Sequence, residues 1–310
     1  MRKFSDLIDD IIRNKNIESG EEIVKSVHER YDYNISTEHF CIKTDMQAKF
    51  YAKEKGSYDL VSIPDILSMS DLEIKYSIEV LVKIFKNYFK NINSKSKILI
   101  VGLGNRHISA DSLGTKVVSK VKVTFPELKL PHVMAVCPSV LGLTGIETRN
   151  IIDGVVGVVK PTHIVLIDSL CASNAKRLGR SIQITNTGIC PGSGIGNNRK
   201  CIDTSICKNV ISIGVPLLIY AKTFVGGLMD DKNITISEIN NIMQKLKKED
   251  SHEVFLNFLK CVKQVLKDDL GDIVVSLKDI EECVDILSKI ISDAINISLG
   301  VKGIKEIKLT

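Results

Sequence analysis

Over the middle of the chain, short unbroken apolar runs alternate with stretches of helical periodicity, while both ends read as helices. Ile98–Val101, His132–Val136, Thr162–Asp168, Ser181–Ile184 and Val210–Val215 are apolar runs bounded by Gly, Pro, Ser or Lys, which predicts buried strands. Pro216 is expected to close the last of them, because proline cannot donate to a ladder. Tyr58–Ile63 reads as a further strand. Leu72–Tyr88 carries Ile74, Ile78, Leu81, Val82 and Phe85 on one helical face, and Leu113–Val121 and Glu147–Val159 also read as helices. Such alternation predicts an α/β fold: three layers, a mostly parallel sheet flanked by helices. Helical additions are expected at both termini. At the amino end, Phe4, Leu7, Ile8, Ile11 and Ile12 recur at helical spacing behind Ser5 as a cap. Beyond Asn233 come NITISEINNIMQKLKK, HEVFLNFLKCVKQVLKDD and a last helix from Ser276, its cap, to Leu299, with Gly300 after it.

The residues that could carry chemistry gather at the ends of two of these strands. After Val101, Gly102 and Gly104 permit a sharp turn, and the loop delivers Asn105, Ser109 and Asp111 to the edge where open α/β sheets place ligands. This is no dinucleotide fingerprint, since His107 stands where the third glycine belongs. The run HIVLIDSL ends in Asp168, where desolvation is expected to raise the carboxyl's pKa unless a partner offsets it. If the two strands are neighbours, Asp111 and Asp168 meet, one carboxylate activating water while the other, protonated, donates to a carbonyl or leaving nitrogen. A single aspartate at a strand end also serves as a helix cap, a ribose contact or a metal ligand.

A third feature, QITNTGICPGSGIGNNRK, sets Gly188, Gly192, Gly194 and Gly196 around Ser193, with Arg199 and Lys200 beyond. Inward-turned amides there could hold an oxyanion or a peptide backbone, or the stretch is a plain crossover loop. It lacks the Gly-Lys-Ser/Thr ending of a phosphate loop. PSVLGLTGIET offers Thr144 and Thr148 to the same edge, or simply starts a helix. Nucleophiles are poorly supported: neither Ser112 nor Ser193 lies in a Gly-x-Ser-x-Gly elbow, and no histidine can be paired with Cys190. His107 could be a base, a metal ligand or an ordinary loop residue.

Composition narrows the field only a little. A chain of 310 residues can bury a large core, and a net charge of +5 from 42 basic and 37 acidic residues is too mild to argue for nucleic acid. Eight cysteines without a CxxC pair suggest reduced thiols rather than a disulfide framework. Without a membrane-length apolar run or a secretory signal, the protein is expected to stay inside the cell.

Four segments taken together, VGLGNRHISADSLG, LGLTGIET, IDSLCASNAKR and QITNTGICPGSGIGNNRK, resemble the germination protease of endospore-forming bacteria, which degrades small acid-soluble spore proteins. The likeness resumes in the last helix and touches Lys43-Thr44-Asp45. What the resemblance implies is an atypical aspartic peptidase with no cofactor and no bound metal, its sheet related to that of hydrogenase-maturing endopeptidases. It further implies a homotetramer in the cytoplasm of the forespore or spore core, with no direct contact to nucleic acid or membrane. The family's catalytic aspartates fall on Asp111 and Asp168, and Asn105, Thr144, Gly192, Ser193, Gly194 and Arg199 are expected to bind substrate. The family is made as a zymogen and activated by amino-terminal cleavage, which here would fall near Asp45–Met46. Residues 1–45 would then be an extension or propeptide, and 46–310 one α/β peptidase domain. The glycine loop departs from the family by carrying Cys190 where histidine is usual. Two rival readings follow: a non-catalytic spore relative that binds at the sheet edge, or a metal-dependent hydrolase using Asp111, Asp168 and His107.

Overall fold

A computed structural model describes residues 6–19, 24, 26–124, 130–190, 200–221, 223–224 and 273–300. Phe4, Ser5 and the two helices expected between 233 and 269 lie outside them.

Among the described residues the sheet has nine strands: β1 (Ser26–Arg30), β2 (Ser36–Ile42), β3 (Gly56–Ser62), β4 (Lys97–Gly102), β5 (His132–Val136), β6 (His163–Ala172), β7 (Ser181–Thr185), β8 (Val210–Tyr220) and β9 (Val274–Val275). Their order is β1-β2-β3-β7-β8-β6-β4-β5, with β9 added on the end of β8. Strands β8, β6, β4 and β5 run parallel, as the alternation of strands and helices requires. The α/β class stands as expected, but the sheet is mixed, because β1, β2, β3 and β7 form an antiparallel wing. Strands β3 and β7 of that wing were expected, whereas β1 was not legible: it reads SVHER and is almost wholly exposed, so it has no apolar rhythm.

Alternate residues of each central strand feed opposite cores. Ile98 and Ile100 of β4 and Val165 and Ile167 of β6 join Phe85 and Leu81 of α3 (Asp71–Tyr88) and Leu287 and Ile291 of a long carboxy-terminal helix, Ile280–Ser298. Leu99, Val101, Ile164 and Leu166 face the other way, onto Ile152 of the helix Thr148–Val159. Helix α3 begins at a capping box in which Ser70 accepts from the Glu73 amide and Glu73 returns the bond.

Strand β6 runs on from Asp168 to Ala172, and two further expected boundaries shift for physical reasons. Strand β8 runs through Pro216 to Tyr220, because the register with β6 slips between Leu170 and Cys171 and the proline sits at that irregularity. The last helix starts at Ile280 behind Asp279, since the Ser276 hydroxyl donates to the Leu217 carbonyl at 2.7 Å instead of capping.

The described part of residues 1–45, expected as an extension, packs against the sheet. Helix α1 (Ile8–Ser19) buries Leu7, Ile8 and Ile12, and β2 pairs with β3 along its whole length. Phe40, Ile42, Tyr51 and Tyr58 close around α1 in a core of their own, so cutting near residue 45 would divide the sequence but not the sheet.

Candidate active site

The loop after β4 folds back over the end of β6. The Leu103 amide donates to the Ile167 carbonyl at 2.8 Å, and the loop then turns through Gly104 at φ +95° into a single 3₁₀ turn, Ser109–Asp111. A side chain on Gly104 would meet the Asp111 carbonyl oxygen at 2.1 Å, so only glycine lets Asp111 return this close. Gly114, in the helix that follows (Leu113–Lys120), lies against the Ile167 and Leu103 carbonyls, where a Cβ would stand 2.5 Å from each. The loop is braced from outside as well, because the Ser109 hydroxyl donates to Glu281 of the carboxy-terminal helix at 2.9 Å.

This architecture brings Asp111 and Asp168 into one cleft of about 230 Å3, at the carboxyl edge of neighbouring parallel strands. The Asp111 carboxylate accepts from the Asn105 amide at 2.8 Å, and the buried Asp168 carboxylate accepts from the Ser169 amide at 2.9 Å. Asn105 lines the cleft too, its side-chain oxygen engaged by the His107 amide at 2.9 Å.

Thr144 is not among the residues lining the cleft; its hydroxyl is bonded to the Val140 and Ile146 carbonyls. Thr148 lines the cleft instead. His107 does not line it, and among the described residues no group of three or more His, Cys, Asp or Glu is placed to hold a metal ion. Gly192, Ser193, Gly194 and Arg199 lie outside the described residues. Asp45 and Met46 form the exposed first turn of α2 (Asp45–Tyr51), Asp45 pairing with Lys55 at 2.6 Å.

Three contributors were not foreseen. Asp6 brings a third carboxylate to the cleft, carried there by the chain just before α1. The Ser169 hydroxyl, also on the cleft wall, is buried without a hydrogen-bond partner among the described residues. Beyond Ile189 and Cys190 lies a second cavity of about 240 Å3, lined by Lys53, Gln183, Thr185, Thr187 and Ser212. A faint signal for it existed in the sequence: Gln183, Thr185 and Ser212 are polar residues on one face of otherwise apolar strands. The expectation of eight reduced cysteines is corrected as well, since Cys190 and Cys201 are joined as a disulfide, with their Cα atoms 4.0 Å apart. Burial pushes the thiol of Cys171, on the cleft wall, up to about 12, so it is no ready nucleophile.

Fold and site together define an α/β protein with an acidic cleft at the carboxyl ends of parallel strands. The model of the family described as germination protease matches residues 8–249, and the chain belongs to that family. It is 38% identical to the germination protease of Clostridium acetobutylicum over 80% of this chain and 79% of that one. It is 31% identical to that of Caldanaerobacter subterraneus subsp. tengcongensis over 88% and 87% of the two chains. Membership makes the protein a peptidase of spore germination. Among solved structures, the [NiFe] hydrogenase maturation protease HycI from Thermococcus kodakarensis matches 43% of this chain and 80% of that one, at 18% identity and a TM-score of 0.32. A likeness at that level carries no argument. No helix among the described residues is long and apolar enough to cross a membrane.

Proposed function

We propose that the protein is an endopeptidase of the aspartic type in which Asp111 and Asp168 share proton transfer to a water that attacks a peptide carbonyl. The observation that carries this reading is that Asp111 and Asp168 line one cleft where β4 ends beside β6. In the reaction, the ionised carboxylate takes a proton from water as its oxygen bonds to the carbonyl carbon. The protonated partner donates to the carbonyl oxygen and later to the departing nitrogen. Small acid-soluble spore proteins are the substrates, as the family resemblance implies, and the spore core is the setting. An extended substrate segment laid along the sheet edge would present one bond to the pair.

The same reading includes synthesis as a homotetrameric zymogen cut near Asp45–Met46. The Asp6 carboxylate in the cleft supports amino-terminal control. The capping box at Thr44 and Gln47 sets a condition on cutting, because the first turn of α2 must unwind before that bond can enter an active site.

The test is cleavage of a purified small acid-soluble spore protein by the full chain, alongside Asp111→Asn and Asp168→Asn, with a chelator in parallel. Loss of turnover by at least about a hundredfold in either variant, with the folded state retained and no chelator effect, supports the proposal. Loss on chelation alone favours the metal-dependent hydrolase. No turnover by the folded chain, before or after the amino-terminal cut, favours the non-catalytic relative.

A further inference from the structure

Asp6, Leu170, Ile189 and Cys190 line both cavities, and Ile189 and Cys190 belong to one short crossing of chain. Ile189 and Ile202 form an isolated antiparallel bridge, with amide-to-carbonyl bonds of 2.9 and 2.8 Å, and the disulfide from Cys190 to Cys201 lies directly beside it. Cys190 faces both cavities and Cys201 the second. Both cysteines are only partly buried, within reach of a small reductant.

The two sides of the crossing are anchored unequally. On the Cys201 side, Ile202 is fully buried, and Arg149 donates to the Cys201 carbonyl and, at 2.8 Å, to the Ser205 hydroxyl. On the Cys190 side, Ile189 is only partly buried, packed at the margin of two apolar clusters, and without the sulfur bond two hydrogen bonds and that packing hold it to Ile202. Breaking the bond therefore loosens the cleft side of the wall and leaves the far side in place.

We propose that Cys190 and Cys201 are a reversible thiol–disulfide site that sets how firmly the Ile189–Cys190 wall stands beside Asp111 and Asp168. The reducing partner is a dithiol. Its thiolate attacks one sulfur and forms a mixed disulfide, releasing the other cysteine as thiolate. The second thiol then displaces the first cysteine. The protein gains two electrons and two protons and becomes a pair of thiols, while the dithiol becomes a disulfide. The buried thiol of Cys171, with its raised pKa, is unsuited to act as the internal attacking group. The consequence for turnover rests on the reading of the cleft as the peptidase site: reduction gives a peptide freer entry and raises kcat/KM.

The experiment uses the full chain, equilibrated with either oxidised or reduced dithiothreitol. Samples are alkylated with iodoacetamide in urea and peptide-mapped. Cys190 and Cys201 should be protected in the oxidised sample, modified in the reduced one, and protected again after reoxidation. Modification of both after oxidation overturns the proposal. Hydrogen exchange at the Ile189 and Cys190 amides should be faster in the reduced form by on the order of tenfold, and equal exchange overturns it. Spore-protein cleavage by the reduced form should exceed that by the oxidised form by a similar factor. Cys190→Ser should match the reduced rate whatever the redox state, and equal rates in both states of the unsubstituted chain overturn the consequence for turnover. No turnover in either state, before or after the amino-terminal cut, with protection and exchange as expected, overturns the peptidase reading and leaves the thiol site standing.

Discussion

Asp6 and Cys171 hold each other from both directions: the Asp6 amide donates to the Cys171 carbonyl at 2.9 Å, and the Cys171 amide donates to the Asp6 carboxylate at 3.0 Å. Asp10 repeats the move two residues on, just past β6, accepting from the Ser173 amide at 3.0 Å, while Gln183 of β7 accepts from the Ile8 amide at 2.7 Å. The start of α1 is thus docked, through carboxylates and one amide, beside the two aspartates assigned to catalysis.

Asp6→Ala should loosen that docking. The change leaves the Cys171 amide without its carboxylate, a loss of about 1–3 kcal/mol for a charge-assisted bond. Amide exchange from Leu170 to Ser173 should accelerate by about tenfold or more, while exchange in β4 stays as it was. If the amino terminus restrains the enzyme, cleavage of spore protein by this variant should rise.

Gly104→Ala should damage activity more than stability. The backbone strain costs about 1–3 kcal/mol, and the added methyl also displaces Asp111, whose carbonyl it would meet. The expected result is a folded protein with a Tm lowered by a few degrees and turnover down by about a hundredfold, measured by calorimetry and a cleavage assay.

Asp9 makes stability fall as pH rises. It is fully buried; burial first and the neighbouring Asp10 second push its pKa from 3.8 up to about 6, with Glu38 adding slightly, against the pull of Arg177 and Arg13. A carboxyl whose pKa is higher folded than unfolded binds more protons in the native state between those two values. Stability is therefore lost as pH climbs from about 4 to about 6 and is level above that. Asp9→Asn should remove this component, seen as the difference between the two proteins' urea midpoints across the range.

Thr44→Ala should ease cutting near residue 45. The Thr44 hydroxyl accepts from the Gln47 amide at 3.2 Å, and losing that cap costs about 1 kcal/mol of α2. Intact-mass time courses should show faster appearance of any fragment ending there. The severed amino-terminal piece should co-elute with the rest, held by the β2–β3 pairing.

Much of this molecule was legible before folding was considered. Strand β4 and the helix Thr148–Val159 lie within a residue of where periodicity puts them, because a strand buried on both faces must be apolar throughout and a half-buried helix must repeat every 3.6 residues. That Asp111 and Asp168 share a cleft was legible for a related reason: a carboxylate in or just after an apolar run is conspicuous, and neighbouring parallel strands bring such residues to one edge. The rest depended on contacts distant in sequence. Nothing local marks Asp6 as a cleft residue, since its place comes from backbone bonds to a strand 165 positions away. The exposed strand β1 has no pattern to read, Pro216 continues a strand because a bulge accommodates it, and the pairing of Cys190 with Cys201 rests on the bridge between Ile189 and Ile202. Local periodicity reports only which face of an element is buried, so it sufficed for the layers and the aspartate pair. What stands beside that pair depends on how the elements meet.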